Sequence, residues 1–306
     1  MNATHQFGTT NGQFRWHDGH VALPDIEMIR ERLADALRDR VAGPNARERV
    51  AHLLDAEGAR WFAEDRPVRL VHADSSMFIG GLRALLLQTL HPLAMAGVAQ
   101  HSDYRNDPWG RLQRTADFLA VTTFGPAAEA DRVIERIRHV HSFVKGQASD
   151  GRHYSANDPH LLRWVHVAEV DSFLTAHQMF GEKPLTDEEC DEYVADMAVI
   201  ARKLGVIDPP ITRAGLTNRL RGFIPELRST PESRDGAKYL LITPPLDARS
   251  RAAYGLLAAA TVSTLPLWSR PLLRLPWFPL TERTALRGLG QAVTRVVRWA
   301  MPTKPE

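Results

Sequence analysis

Cysteine is almost absent from this 306-residue chain: Cys190 is the only one. That excludes an internal disulfide and any cysteine-rich zinc or iron–sulfur site, and it fits a reducing compartment. A Gly-rich phosphate loop, HExxH, GxSxG and CxxC are also missing, and no strand-rich segment supports a dinucleotide-binding sheet. Kinase, hydrolase and nicotinamide-dehydrogenase readings therefore lack their apparatus. A long unbroken apolar run is lacking too. The most apolar stretch, SSMFIGGLRALLLQTLHPLAMAGVA at 75–99, is interrupted by Gly80, Gly81, Arg83, His91 and Pro92, whereas a membrane span needs ~20 apolar residues in a row. A buried core helix broken at Pro92 is the expectation. Residues 1–24 have neither the basic start nor the apolar run of a signal peptide, so the protein is expected to be cytoplasmic, with an N-terminal arm over 1–24. The net charge of +2 gives no ground for a nucleic-acid partner.

What is present is ordinary for a globular chain: 44% hydrophobic and 24% charged residues, enough to bury a large core. The periodicity predicts an all-α chain forming one large multi-helix domain. Helices are expected over 25–40, 45–65, 158–180, 186–204 and 212–227, and PESRDGAKYLLITPPLD at 231–247 reads as a loop. From 249 onward nine Lys or Arg stand against two Glu. Basic residues among Trp268, Trp277 and Phe278 suit an anionic membrane surface, but four prolines interrupt any long amphipathic helix. The division expected is an arm at 1–24, a helical domain at 25–248 and a basic helical extension at 249–306 packed on the core, with at most weak membrane-surface contact.

The stretch DPWGRLQRTADFLAVTTFGPAAEADRVIERIRHVHSFVKG at 107–146 carries the candidate chemistry. It reads as two helices joined at Phe-Gly-Pro, the first capped by Asp107 with Pro108 at its first position. Trp109, Leu112, Ala116 and Leu119 form one stripe; Arg111, Arg114, Thr115, Phe118 and Thr122 form another. The second stripe is either a wet face with one stray Phe or the wall of an apolar cavity holding a few polar groups. On the second helix His141 falls on the inward stripe with Ala130, Ile134 and Ile137, and His139 falls outside it. An inward histidine is either a core residue bonded to a carbonyl or a ligand. His166 and Glu169 share a helix face further on, in the order His-x-x-Glu and only once, which is short of a di-iron carboxylate bundle. His91, before Pro92, suits a helix cap; it and His101 are weaker ligand candidates.

GRLQRT, TTFG, VHSFVKG, YSANDP and RWVH together resemble the catalytic domain shared by latex clearing proteins (rubber oxygenases) and MpaB-type oxygenases. The likeness runs from about His91 to beyond Ala176 and more faintly to the C-terminus. It implies an all-α fold, globin-like in architecture and not in topology, enclosing haem b, with His141 as the axial iron ligand and Arg111 and Thr115 catalytic on the oxygen side. Arg114 stands where the rubber oxygenases have Lys, among the residues around the cofactor, and a guanidinium is not an iron ligand. His166 is the rival ligand, or orients the ligating histidine, or holds a propionate. The acidic residue of the rubber enzymes has no match in LAMAGVAQ at 93–100. The activity implied is dioxygen-dependent oxidation of an apolar, unsaturated, lipid- or isoprenoid-like molecule. A haem carrier or sensor and a haem-free helical interaction protein are the alternatives.

Overall fold

The computed structural model describes residues 46–102, 105–277 and 285–300, with Arg30, Ala34 and Gly43 besides. The expected arm at 1–24 and most of the helix expected at 25–40 lie outside these residues. Among the described residues thirteen α-helices and one short hairpin make the fold all-α. In chain order they are α1 Ala46–Asp55, α2 Pro67–Ala73, α3 Met77–Gln88, α4 Pro92–His101, α5 Pro108–Phe124, α6 Ala127–Phe143, β1 Lys145–Gln147, β2 His153–Ser155, α7 Pro159–Phe180, α8 Asp187–Leu204, α9 Arg213–Phe223, α10 Pro231–Leu241, α11 Ala248–Thr264, α12 Ser269–Leu273 and α13 Arg287–Ala300.

Helix starts follow local chemistry. Asp107 and Asp158 accept from the N–H groups of Gly110 and His160 with a proline next in line, and Thr186 and Glu189 close a capping box. His91 caps α4 by accepting from the Ala94 N–H, as its place before Pro92 suggests. The apolar run at 75–99 is two helices, α3 and α4, parted at 89–91. Among the described residues no single helix is long and apolar enough to cross a membrane; α2 and α3 pass such a test only together, across a 93° bend.

Two expectations are corrected. The helix expected over 45–65 ends at Asp55, because Gly58 takes φ +126° and Arg60 turns back to bond the carbonyls of Leu53, Leu54 and Ala56. The same guanidinium caps Phe124, so one side chain ties the ends of α1 and α5. Residues 231–241, read as loop, form α10: Thr230 caps it by accepting from the Ser233 N–H, Pro231 opens it, and Ser233, Gly236 and Ala237 are its buried side. Gly236 masks that amphipathic pattern, yet its lack of a side chain is what admits Met95 and Thr89, which an added Cβ would meet at 3.2 and 3.3 Å.

The core is built on α3 against α7. Gly80 allows the approach: a Cβ there would lie 2.9 Å from the Phe173 ring and 3.1 Å from its Cα. Arg83, 2% exposed, is taken into this seam by donating to Thr264 O at 3.1 Å and Ser172 Oγ at 2.7 Å, with Asp171 ion-paired at 2.8 Å. Trp164, Val167, Leu86, Leu87 and Tyr193 fill the centre, and Ala258, Leu265 and Leu273 from the C-terminal segment join the same core.

Candidate functional site

α5 and α6 are each 17 residues long and pack against each other across the Gly125–Pro126 turn. Arg111 and His141 lie almost equally far from that turn, so an αα-hairpin sets them at the same height. Beside the hairpin lies an apolar cavity of about 2140 Å³, larger than the ~300–1,000 Å³ usual for ligand pockets. Its floor is one stripe of α7: Leu161, Val165, Glu169, Phe173 and His177, four residues apart and ~24 Å from end to end at 1.5 Å per residue. Exposed Val50, Leu54, Leu70 and Val296 also line it and mark its rim.

Arg111, Thr115 and His141 all line this cavity. Arg111 is half-buried and donates to Ser102 Oγ at 2.9 Å, which ties α5 to the end of α4. Thr115 donates its hydroxyl to the Arg111 carbonyl at 3.1 Å, so in this rotamer it can only accept from a ligand. Burial lowers the pKa of His141 below that of a free imidazole and keeps the ring neutral; its Nδ1 is sealed from solvent and has no hydrogen-bond partner. A neutral, unpaired imidazole on an apolar wall is a group with a lone pair to offer. The outward His139 is exposed and stacks edge-on against Phe143.

The two stripes expected on α5 divide differently. Leu112, Ala116 and Leu119 share the cavity side with Arg111 and Thr115, while Phe118 packs on the main core and Thr122 is buried. Phe118 therefore does not mark a cavity wall. Arg114 does not join the site: its side chain is 68% exposed and ion-paired with Asp107 at 3.3 Å, outside the lining. His166 does not reach the cavity either. One position on from Val165, it is turned ~100° away, buried beside Arg202 with its pKa pushed down to about 4 and its Nε2 unpartnered. The small residues of α4 also separate: Ala94 and Gly97 line the cavity, whereas Ala96 packs with Ala148, Tyr154 and Leu161.

Two residues of the cavity region, His72 and Tyr193, go unassigned in the sequence, and a third, Glu169, is paired there only with His166, from which the cavity separates it. His72 lines the wall, its Nδ1 2.8 Å from Thr123 Oγ1 and its Nε2 3.4 Å from the Tyr193 hydroxyl, and burial pushes its pKa down to about 3. Tyr193 stands behind it. Glu169 opens onto the cavity yet lies deep enough that desolvation pushes its carboxyl up to about 7. Its signal was visible: a lone acid four residues from both Val165 and Phe173 on an apolar stripe.

Among the described residues one group of side chains has metal-ligand geometry, His91, His160 and Glu226, with ligand atoms within 4.8 Å of one another. None of the three lines the cavity. His91 Nδ1 accepts the Ala94 N–H at 3.5 Å, which leaves the ring proton on Nε2, 3.4 Å from Glu226 Oε2 and too poorly aligned for a hydrogen bond. His160 Nε2 lies 2.8 Å from the same oxygen. With the helix cap holding the His91 lone pair, the trio is a carboxylate between two rings, not a set of three free ligands.

His141 and the apolar cavity fit a flat apolar iron cofactor: an unpartnered imidazole, small residues at Ala94 and Gly97, and room beyond one ligand. No curated protein and no solved structure matches the chain. Residues 69–299 match the family described as "ER-bound oxygenase mpaB/B'/Rubber oxygenase, catalytic domain". With three quarters of its length inside that match, the chain belongs to the mpaB/rubber oxygenase catalytic-domain family and is by that membership an oxidoreductase.

Proposed function

We propose that the protein is a haem b-dependent oxygenase that uses dioxygen on an apolar, unsaturated lipid-like molecule. The observation that carries this reading is His141, a neutral imidazole that lines the large apolar cavity and has no hydrogen-bond partner at its sealed Nδ1. Haem b, when bound, supplies the redox chemistry of dioxygen. The chain does the rest. His141 is the residue to hold the iron, and Ala94 and Gly97 leave space for the ring. Arg111, steadied by Ser102, directs a guanidinium toward negative charge that develops on oxygen, the kind of preorganised donor that gains strength in a water-poor site. Thr115 accepts a hydrogen bond beside it, and becomes a donor only by releasing the Arg111 carbonyl. Leu112, Ala116, Leu119 and Phe173 exclude water and offer contact to a hydrocarbon chain.

The test measures oxygen uptake and haem content on the same preparation, with and without an unsaturated isoprenoid or fatty chain. Substrate-dependent uptake by haem-loaded protein is the expected result. A haem spectrum with no substrate-dependent uptake would make the protein a carrier or sensor; no haem at all would leave a helical interaction protein.

A further inference from the structure

Apart from His141 and His177, each with an unpartnered Nδ1, many polar groups along the cavity are committed within the protein. Thr89 donates to the Leu86 carbonyl at 2.7 Å, His101 meets the Tyr154 hydroxyl at 3.1 Å, and His72 is held between Thr123 and Tyr193. Asp74 is satisfied by the Ser76 and Glu182 N–H groups and by Arg298. Glu169 is different. It lines the cavity and makes no hydrogen bond or ion pair among the described residues, and burial alone, with no neighbouring cation, sets its titration. Tyr193 of α8 feels its charge, His166 lies one turn back on α7, and His72 of α2 lines the same cavity. None of these is positively charged at neutral pH.

A half-buried carboxyl that opens on an apolar cavity and has no partner inside the protein is a group kept for a partner that arrives. It lies ~12 Å along the floor from Leu161, at 1.5 Å per residue, beside Val165 and Phe173. Resting on the reading of this cavity as the substrate site, we propose that Glu169 receives the polar end of an otherwise apolar ligand, and that this ligand is an uncharged long-chain alcohol. A hydroxyl can donate to Glu169 whether the carboxyl is neutral or ionised. A hydrocarbon would leave it dry and unpaired. A fatty-acid anion would meet like charge wherever Glu169 is ionised, and an ammonium would give up its water for a single partner.

The experiment uses the purified full-length protein, with haem content recorded, and displaces an apolar fluorescent probe with dodecanol, dodecene, dodecanoate or dodecylamine. Dodecanol is expected to bind about two- to tenfold more tightly than dodecene, the net worth of one hydrogen bond. Glu169→Leu should abolish that preference and Glu169→Gln, whose amide still pairs with a hydroxyl, should keep it. In the wild type dodecanoate should weaken as pH rises through about 7, where Glu169 ionises; in Glu169→Gln it should not. Equal binding of alcohol and alkene, an alcohol preference that survives Glu169→Leu, or tightest binding of the amine would each overturn the proposal. If Glu169→Leu does not fold, the dodecanoate profile of Glu169→Gln decides alone, and an unchanged pH dependence overturns it. Because the readout is binding, alcohol selectivity in a protein without haem would sustain this inference while refuting the oxygenase reading, and haem with no selectivity would do the reverse.

Discussion

Two arginines are carried into apolar surroundings, and the protein treats them in opposite ways. Arg83, in the seam between α3 and α7, has a carbonyl, a hydroxyl and a carboxylate around its guanidinium and is 2% exposed. Arg111, on the wall of the cavity, is half-buried and donates to Ser102 Oγ. Two histidines repeat the contrast: His166 is shut into the protein on the far flank of α7, and His141 lines the cavity. The Arg83 cluster holds helices together, whereas Arg111 and His141 stand on a cavity wall that a molecule from outside the chain can reach. The difference teaches that burial alone does not mark a site, since Arg83 and His166 are the more buried of each pair.

The largest effect that could break this contrast is on stability. Arg83→Ala leaves Asp171 without its cation in a packed seam and should cost ~3–5 kcal/mol, read as an earlier urea midpoint or loss of folded protein. Arg111→Ala should leave the midpoint nearly unchanged; an equal loss there would erase the distinction. Next, in haem-loaded protein, Arg111→Ala should lower turnover by ~10²–10³, or about 3–4 kcal/mol of barrier, while keeping most of its haem. Arg111→Lys should recover part of that, lacking the planar fork. If haem content and turnover fall together, Arg111 grips the cofactor and is not an oxygen-side donor.

Acid sharpens the histidine pair. His166 has a folded pKa of about 4 against 6.5 when free, so below pH 6.5 the unfolded chain takes up a proton that the folded chain refuses. Stability should therefore fall as pH drops from about 6.5 toward 4, by up to about 3 kcal/mol from this group. His166→Leu should make that limb of a stability-against-pH curve shallower, with His72 supplying a further part of the slope. An unchanged limb would mean that His166 is not held neutral. The smallest effect lies away from both regions: Thr186→Ala opens the capping box of α8 and should cost ~1 kcal/mol, seen as a small drop in Tm with no change in haem content.

The helix starts were legible in the sequence because caps and prolines act over three or four residues: Asp107-Pro108, Asp158-Pro159 and Thr186 with Glu189 each state a start. The end of α1 was not, because it depends on Arg60 reaching carbonyls of α1 and α5 at once. Helix α10 was hidden by Gly236, whose reason for being small is Met95 on another helix. At the site, helical phase turned His141 inward, but phase could not say whether inward meant core or cavity. The same limit misplaced Phe118 and Arg114 with Arg111 and Thr115. A period of 3.6 orders the residues around one helix and says nothing of which neighbour is missing.

The most direct measurement of the central claim is the absorption spectrum and iron content of the wild type beside His141→Ala and His139→Ala, with circular dichroism to show that all three fold. The account predicts a haem spectrum in the wild type and in His139→Ala, and little or no bound haem in folded His141→Ala. A full, unshifted Soret band in His141→Ala would contradict it, most plainly if His166→Ala lost that band instead.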